Sequence, residues 1–181
     1  MPAYIAMLRG INVSGQKVIK MDHLRELCTG LGFRNVETYV QSGNIVFQTQ
    51  TENPAAVSKR IGETIHHSFG FDTPVIIRDS EQMRNVIANN PFLGEKDIDL
   101  SKLHVTFLSE TTQKDSLKNL EALSPGPDRF YAAAHEIYLY CPGGYGRTKL
   151  SNNAVEKALS VRATTRNWKT ANTLFEMVSK L

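Results

Sequence analysis

One order of hydrophobic patterns, strand–helix–strand–strand–helix–strand, constrains this chain more than any other feature, because it runs through the sequence twice. Ala3 to Leu8 is a short apolar run that reads as a strand. Leu24, Leu27, Cys28 and Leu31 then fall at i, i+3, i+4 and i+7, one stripe of a helix, and Gly30 and Gly32 are its stop signal. Val36 to Val40 and Ile45 to Gln48 are rich in β-branched and aromatic residues. The turn cluster Gln41-Ser42-Gly43-Asn44 lies between them, which predicts a hairpin. Asn53 and Pro54 form a helix start, cap and first position, followed by Val57, Ile61 and Ile65 on one face. Pro74 to Arg78 is a fourth strand.

After Arg78, Asp79 or Ser80 caps a third helix, with Gln82 spaced for a capping box, and Asn89-Asn90-Pro91 ends it. Glu95, Asp97 and Asp99 read as a solvated acidic linker. The order then repeats: a strand over Lys102 to Leu108, a helix over Thr112 to Ala122, a break at Ser124-Pro125-Gly126-Pro127, and a hairpin of Phe130 to Ala133 and Ile137 to Cys141. A helix capped by Ser151, a strand over Ala163 to Arg166 and a last helix over Thr170 to Leu181 complete it. The expected fold class is therefore α+β, with two tandem ferredoxin-like (βαββαβ) modules built on antiparallel sheets. Module 1 covers residues 1–79, a connecting helix and acidic linker 80–99, and module 2 with its C-terminal helix 100–181. Similarity between the halves lies in this order of elements rather than in matching residues.

Composition agrees with a globular reading. The 181 residues are 41% hydrophobic and 22% charged, which excludes collagen-like and disordered classes. No apolar run reaches the roughly 18 residues of a membrane span. The N-terminal segment lacks the basic start and apolar stretch of a secretory signal, so a cytoplasmic location is expected, with no membrane partner. Cys28 and Cys141 are the only cysteines, and each sits in an apolar pattern, so two buried thiols are expected rather than a disulfide.

The formal charge of +3 is mild but unevenly distributed. From Cys141 onward seven Lys and Arg residues face Glu156 and Glu176, a local excess of +5. Two glycine-rich basic loops draw attention. Gly10 to Lys17 spells Gly-x4-Gly-Gln-Lys, whereas a nucleotide-binding P-loop requires Gly-x4-Gly-Lys-Ser/Thr. The lysine is displaced by one and Val18 cannot hold a magnesium ion, so no ATPase or kinase site is expected. A weaker possibility survives, in which glycines let backbone N–H groups approach an anion while Arg9, Lys17 and Lys20 supply charge. Gly143 to Lys149 is the second loop, running into the cap Ser151.

Four segments together resemble one family: Leu8-Arg9-Gly10-Ile11-Asn12-Val13, Tyr39-Val40-Gln41-Ser42-Gly43-Asn44, Gly146-Arg147-Thr148-Lys149-Leu150, and Thr164-Thr165-Arg166-Asn167-Trp168. They resemble the bacterial domain of unknown function family 1697, in that family's order along nearly the whole chain. The resemblance implies a tandem of ferredoxin-like modules. It implies no reaction, and no catalytic residue is carried over from it. The family loop often has glycine at the Ser14 position and lysine at the Gln16 position; here the lysine is Lys17.

Remaining motifs have structural readings. Trp168 reads as an anchor for the last helix. Alternation puts Tyr138 and Tyr140 on one sheet face and Ile137, Leu139 and Cys141 on the other, and the tyrosines read first as cover for the sheet. The five histidines form no metal-ligand spacing, and Gln41-Ser42-Gly43 is not a nucleophile elbow. No cofactor is expected. The leading expectation is a protein that binds a phosphorylated small molecule or nucleic acid in a cleft between modules. Arg9, Asn12, Lys17, Gln41, Ser42, Asn44, Arg147, Lys149 and Arg166 are its candidate ligand-binding residues. An enzyme acting on a small anionic substrate, and a protein-interaction module using the tyrosine-bearing sheet face, stand as alternatives.

Overall fold

The computed structural model of the chain describes residues 1–51, 53–123 and 126–181. Of the break expected at residues 124–127, Ser124 and Pro125 lie outside the described residues. The first half contains β1 (Ala3–Leu8), α1 (Met21–Gly30), β2 (Arg34–Tyr39), β3 (Asn44–Gln48), α2 (Pro54–Phe69), β4 (Val75–Asp79) and α3 (Ser80–Ala88). The second contains β5 (Leu103–Leu108), α4 (Lys114–Glu121), β6 (Arg129–Ala132), β7 (Glu136–Tyr140), α5 (Asn152–Leu159), β8 (Ala163–Asn167) and α6 (Trp168–Ser179). This is an α+β architecture with two four-stranded antiparallel sheets, ordered β2-β3-β1-β4 and β6-β7-β5-β8. Two compact units result: residues 1–85 with 173–181, and residues 86–172.

In the first unit β1 is the central strand, between β3 and β4. Its residues are buried on both faces, so it reads as a continuous apolar run rather than an alternating one. Tyr4, Ala6 and Leu8 pack with Leu24 and Cys28 of α1 and with Val57, Ile61 and Ile65 of α2. The α2 stripe expected from periodicity is thus buried, and in α1 Leu24 and Cys28 are buried while Leu27 and Leu31 are half-buried. Asn53 caps α2 by accepting from the Ala55 and Ala56 N–H groups at 2.9 and 3.3 Å. The α3 start is a reciprocal capping box: Gln82 N–H donates to Asp79 Oδ1 (2.7 Å), and the Gln82 side chain accepts from Asp79 N–H (3.0 Å).

The second unit places Leu108, Leu120, Ile137, Leu139, Cys141, Val155 and Leu159 in one core on the α4/α5 side of its sheet. On the opposite face Tyr138 is buried, and its hydroxyl donates to the Val86 carbonyl at 2.9 Å. Phe92 packs its ring 4.8 Å from Tyr131 and 5.8 Å from Tyr140. The tyrosine-bearing face considered as a docking surface is therefore covered at Tyr138 and Tyr140. In the acidic stretch Asp97 and Asp99 are exposed, whereas Glu95 is half-buried. Glu95 accepts from Arg129 at 2.8 Å, and the Arg129 guanidinium lies over the Phe92 and Tyr140 rings. Asp99 caps a short 3-10 turn through the Ser101 N–H. These partners lie far along the chain or in turns too short to leave a periodic signal.

Candidate functional site

The sequence-predicted residues fall into two sets. In the first unit, β1 leads into the loop 9–20 and β2 into the loop 40–43. Asn12 joins them: its Nδ2 donates to the Ile19 and Gln41 carbonyls at 2.9 and 2.8 Å, and its Oδ1 accepts from Ile19 N–H at 2.9 Å. Its amide group is thereby used in holding the loops together. Asn44 is fully buried, and its Nδ2 donates to the Tyr39 carbonyl and to Ser42 Oγ, both at 2.9 Å. The Arg9 N–H donates to the Pro74 carbonyl (3.0 Å), anchoring the loop base. Lys17 donates from Nζ to the Asp72 carbonyl at 2.8 Å, with its ammonium 5.7 Å from the centre of the Phe71 ring.

The backbone here is strained. Asn12, Ser14, Lys17 and Val40 all have left-handed φ near +50°. For the β-branched Val40 this is a real conformational penalty. Gly43, at φ +82°, is required sterically as well: an added Cβ would lie 2.6 Å from Ile11 Cδ1 and 2.9 Å from Leu8 Cβ.

In the second unit, Arg147 and Lys149 project from the loop after β7. Both are exposed, and neither has a partner among the described residues. Gly144 (φ +90°) turns the chain into a single 3-10 turn, Tyr145–Arg147, and Ser151 then caps α5 by accepting from Ala154 N–H. Below this loop a polar chain enters the sheet. Thr165 Oγ1 donates to Asn152 Oδ1 (2.7 Å) and pairs with Thr106 Oγ1 (2.7 Å). His104 stacks on Tyr145 with ring centroids 5.0 Å apart, and burial lowers its pKa from 6.5.

Arg166, expected to touch the ligand, is instead buried in the sheet. Its Nη1 donates to Thr164 Oγ1 (2.7 Å) and the Thr165 carbonyl (3.0 Å), and burial depresses its pKa to about 10. Arg78, not among the sequence candidates, is buried at the corresponding point of the first sheet and donates to the Ile77 carbonyl. The pairs Arg78-Asp79 and Arg166-Asn167, each followed directly by a helix, were the available signal. Only tertiary packing distinguishes His104 from the other histidines.

These features define an α+β protein of two four-stranded sheets, in which most candidate polar residues hold loops while two cations on one loop have no partner among the described residues. The chain belongs to the family described as protein of unknown function (DUF1697), whose match spans residues 1–138. A solved structure, described as that of conserved bacterial protein SP0830 from Streptococcus pneumoniae, is similar in fold. The TM-score is 0.79 at 24% identity, covering 99% of each chain. No curated protein matches.

Proposed function

We propose that this protein binds a phosphate-bearing polyanion, a nucleotide or nucleic acid, through the loop that carries Arg147 and Lys149. The observation that carries the reading is that these two cations are exposed and without partners among the described residues. They also stand just before the N-terminal end of α5, where the helix dipole favours negative charge, and within the basic C-terminal segment. Asn12 and Asn44 use their amides to hold loops of the first unit and are not among the contacts of this reading. We further propose that each half is a ferredoxin-like module, which the strand order β2-β3-β1-β4 and its counterpart support. Residues 80–99 would join the two. A cytoplasmic location is supported by two free, buried cysteines.

The test is fluorescence anisotropy with a labelled single-stranded oligonucleotide between about 50 and 200 mM salt. If Arg147 and Lys149 each neutralise one phosphate, the double alanine variant lowers the log–log salt slope by about 1.4. An affinity and slope identical to the wild type would refute the proposal.

A further inference from the structure

The first unit carries a basic cavity built from residues other than those of the loop just described. It has a volume of about 380 Å³ and is lined in part by Gly32, Arg34, Thr49, Gln50, Thr51 and Arg60. Two of its lining residues are arginines, and none of the described ones is acidic.

Both arginines are held by local structure. Arg60, on α2, donates from Nη2 to the Leu31 carbonyl at 2.7 Å, and its guanidinium carbon lies 5.4 Å from the centre of the Phe33 ring. Phe33 in turn stacks on the fully buried Phe47, 4.4 Å away and nearly parallel. A guanidinium has five N–H donors, and the Leu31 bond uses one. That bond also covers a carbonyl at the C-terminal end of α1, whose partial negative charge would repel an anion. Arg34 begins the edge strand β2 at a register irregularity between Arg34 and Glu37, the kind of bulge that redirects a side chain. Asn35, at φ +51°, fixes the bulge by donating to Gln48 Oε1 at 2.7 Å. Arg34 is exposed and has no partner among the described residues. Thr49, which is buried, accepts from Thr51 N–H at 3.2 Å, leaving its own O–H available to donate.

We infer that this cavity binds a small phosphomonoester. Two guanidinium charges match a phosphate dianion better than a single carboxylate, and arginine forks suit its oxygens. The volume falls in the range of small-molecule pockets, so the phosphate carries an organic group of sugar size. The inference stands apart from the oligonucleotide proposal, because it uses different residues.

The experiment is a titration of the isotope-labelled full chain, followed by amide NMR at constant ionic strength, with ribose 5-phosphate, inorganic phosphate and ribose as probes. Ribose 5-phosphate should give saturable shifts at Gly32, Arg34, Thr49 and Thr51. Inorganic phosphate should act at the same amides several-fold more weakly, and ribose should have no effect. Arg34→Gln, an exposed edge-strand change that keeps the fold, should weaken ribose 5-phosphate binding about tenfold. The Arg147→Ala/Lys149→Ala variant should bind it as the wild type does. Absence of saturable shifts at these amides, equal binding of phosphate and ribose 5-phosphate, or unchanged affinity in Arg34→Gln would each overturn the inference.

Discussion

Arg78 and Arg166 hold one position in two sheets. Arg78 lies opposite Ile5 on the central strand β1, and Arg166 opposite Val105 on the central strand β5. Each is buried, and each donates from Nη1 to the carbonyl of the residue before it, at 2.8 and 3.0 Å. The next residue then caps a helix: Asp79 accepts from Gln82 N–H and Asn167 from Thr170 N–H, both at 2.7 Å. Equivalent arginines should have equivalent worth. Alanine at either position removes a long buried side chain and strands its acceptors, so each variant should lose about 2–4 kcal/mol. Urea denaturation of the two variants checks this, and a neutral effect at one position alone would contradict the equivalence.

The two hairpin-loop residues Val40 and Gly43 should respond in opposite directions. Gly43→Ala drives a methyl into Ile11 and Leu8 at a left-handed φ, and should cost about 2 kcal/mol. Val40 is exposed and left-handed, so Val40→Gly relieves backbone strain with little packing to lose. A gain of about 0.5–1 kcal/mol is expected, after the added entropy of the unfolded chain is counted. Thermal denaturation of both variants distinguishes this from a loop that tolerates any residue.

Cys28 should be chemically silent in the folded protein. It is 1% exposed, and burial pushes its thiol up to about 12, so almost no thiolate exists at neutral pH. Cys141 is also buried, with its pKa raised chiefly by the same cause. A thiol reagent should modify neither at pH 7.5 within the native lifetime, and both once urea is added. Rapid modification of Cys28 without denaturant would show that α1 opens locally.

Much of the fold was legible because its signals are local. The cap Asn53-Pro54, the Asp79/Gln82 box and the stripes Leu24/Cys28 and Val57/Ile61/Ile65 each act within a few residues, and each is found where expected. The candidate site was less legible, because a polar side chain in a sequence does not reveal its partner. Asn12 looked like a ligand contact and is tied to Gln41, 29 residues away; Glu95 looked solvated and is tied to Arg129, 34 residues away. Arg166 stands in the sequence as a candidate ligand contact and is buried. Only the register of β5 and β8 shows it inside the sheet.

Stability should fall on mild acidification, through His104. Its ring is half-buried against Tyr145. Desolvation is the main cause of its lowered pKa, the Lys102 carbonyl acts in the opposite direction, and the Lys102 charge lowers it further. In the unfolded chain the imidazole titrates near 6.5. Between that value and the lower folded one, the unfolded state binds more protons, so stability rises with pH through this window. His104 therefore imposes no penalty above about pH 6.5 and an increasing one as pH drops toward the folded value. His104→Phe keeps an aromatic ring against Tyr145 and removes the titration. The wild type should lose more thermal stability than His104→Phe between pH 7 and 5, with other groups cancelling in the comparison. Parallel pH profiles for the two proteins would show that His104 is not the group responsible.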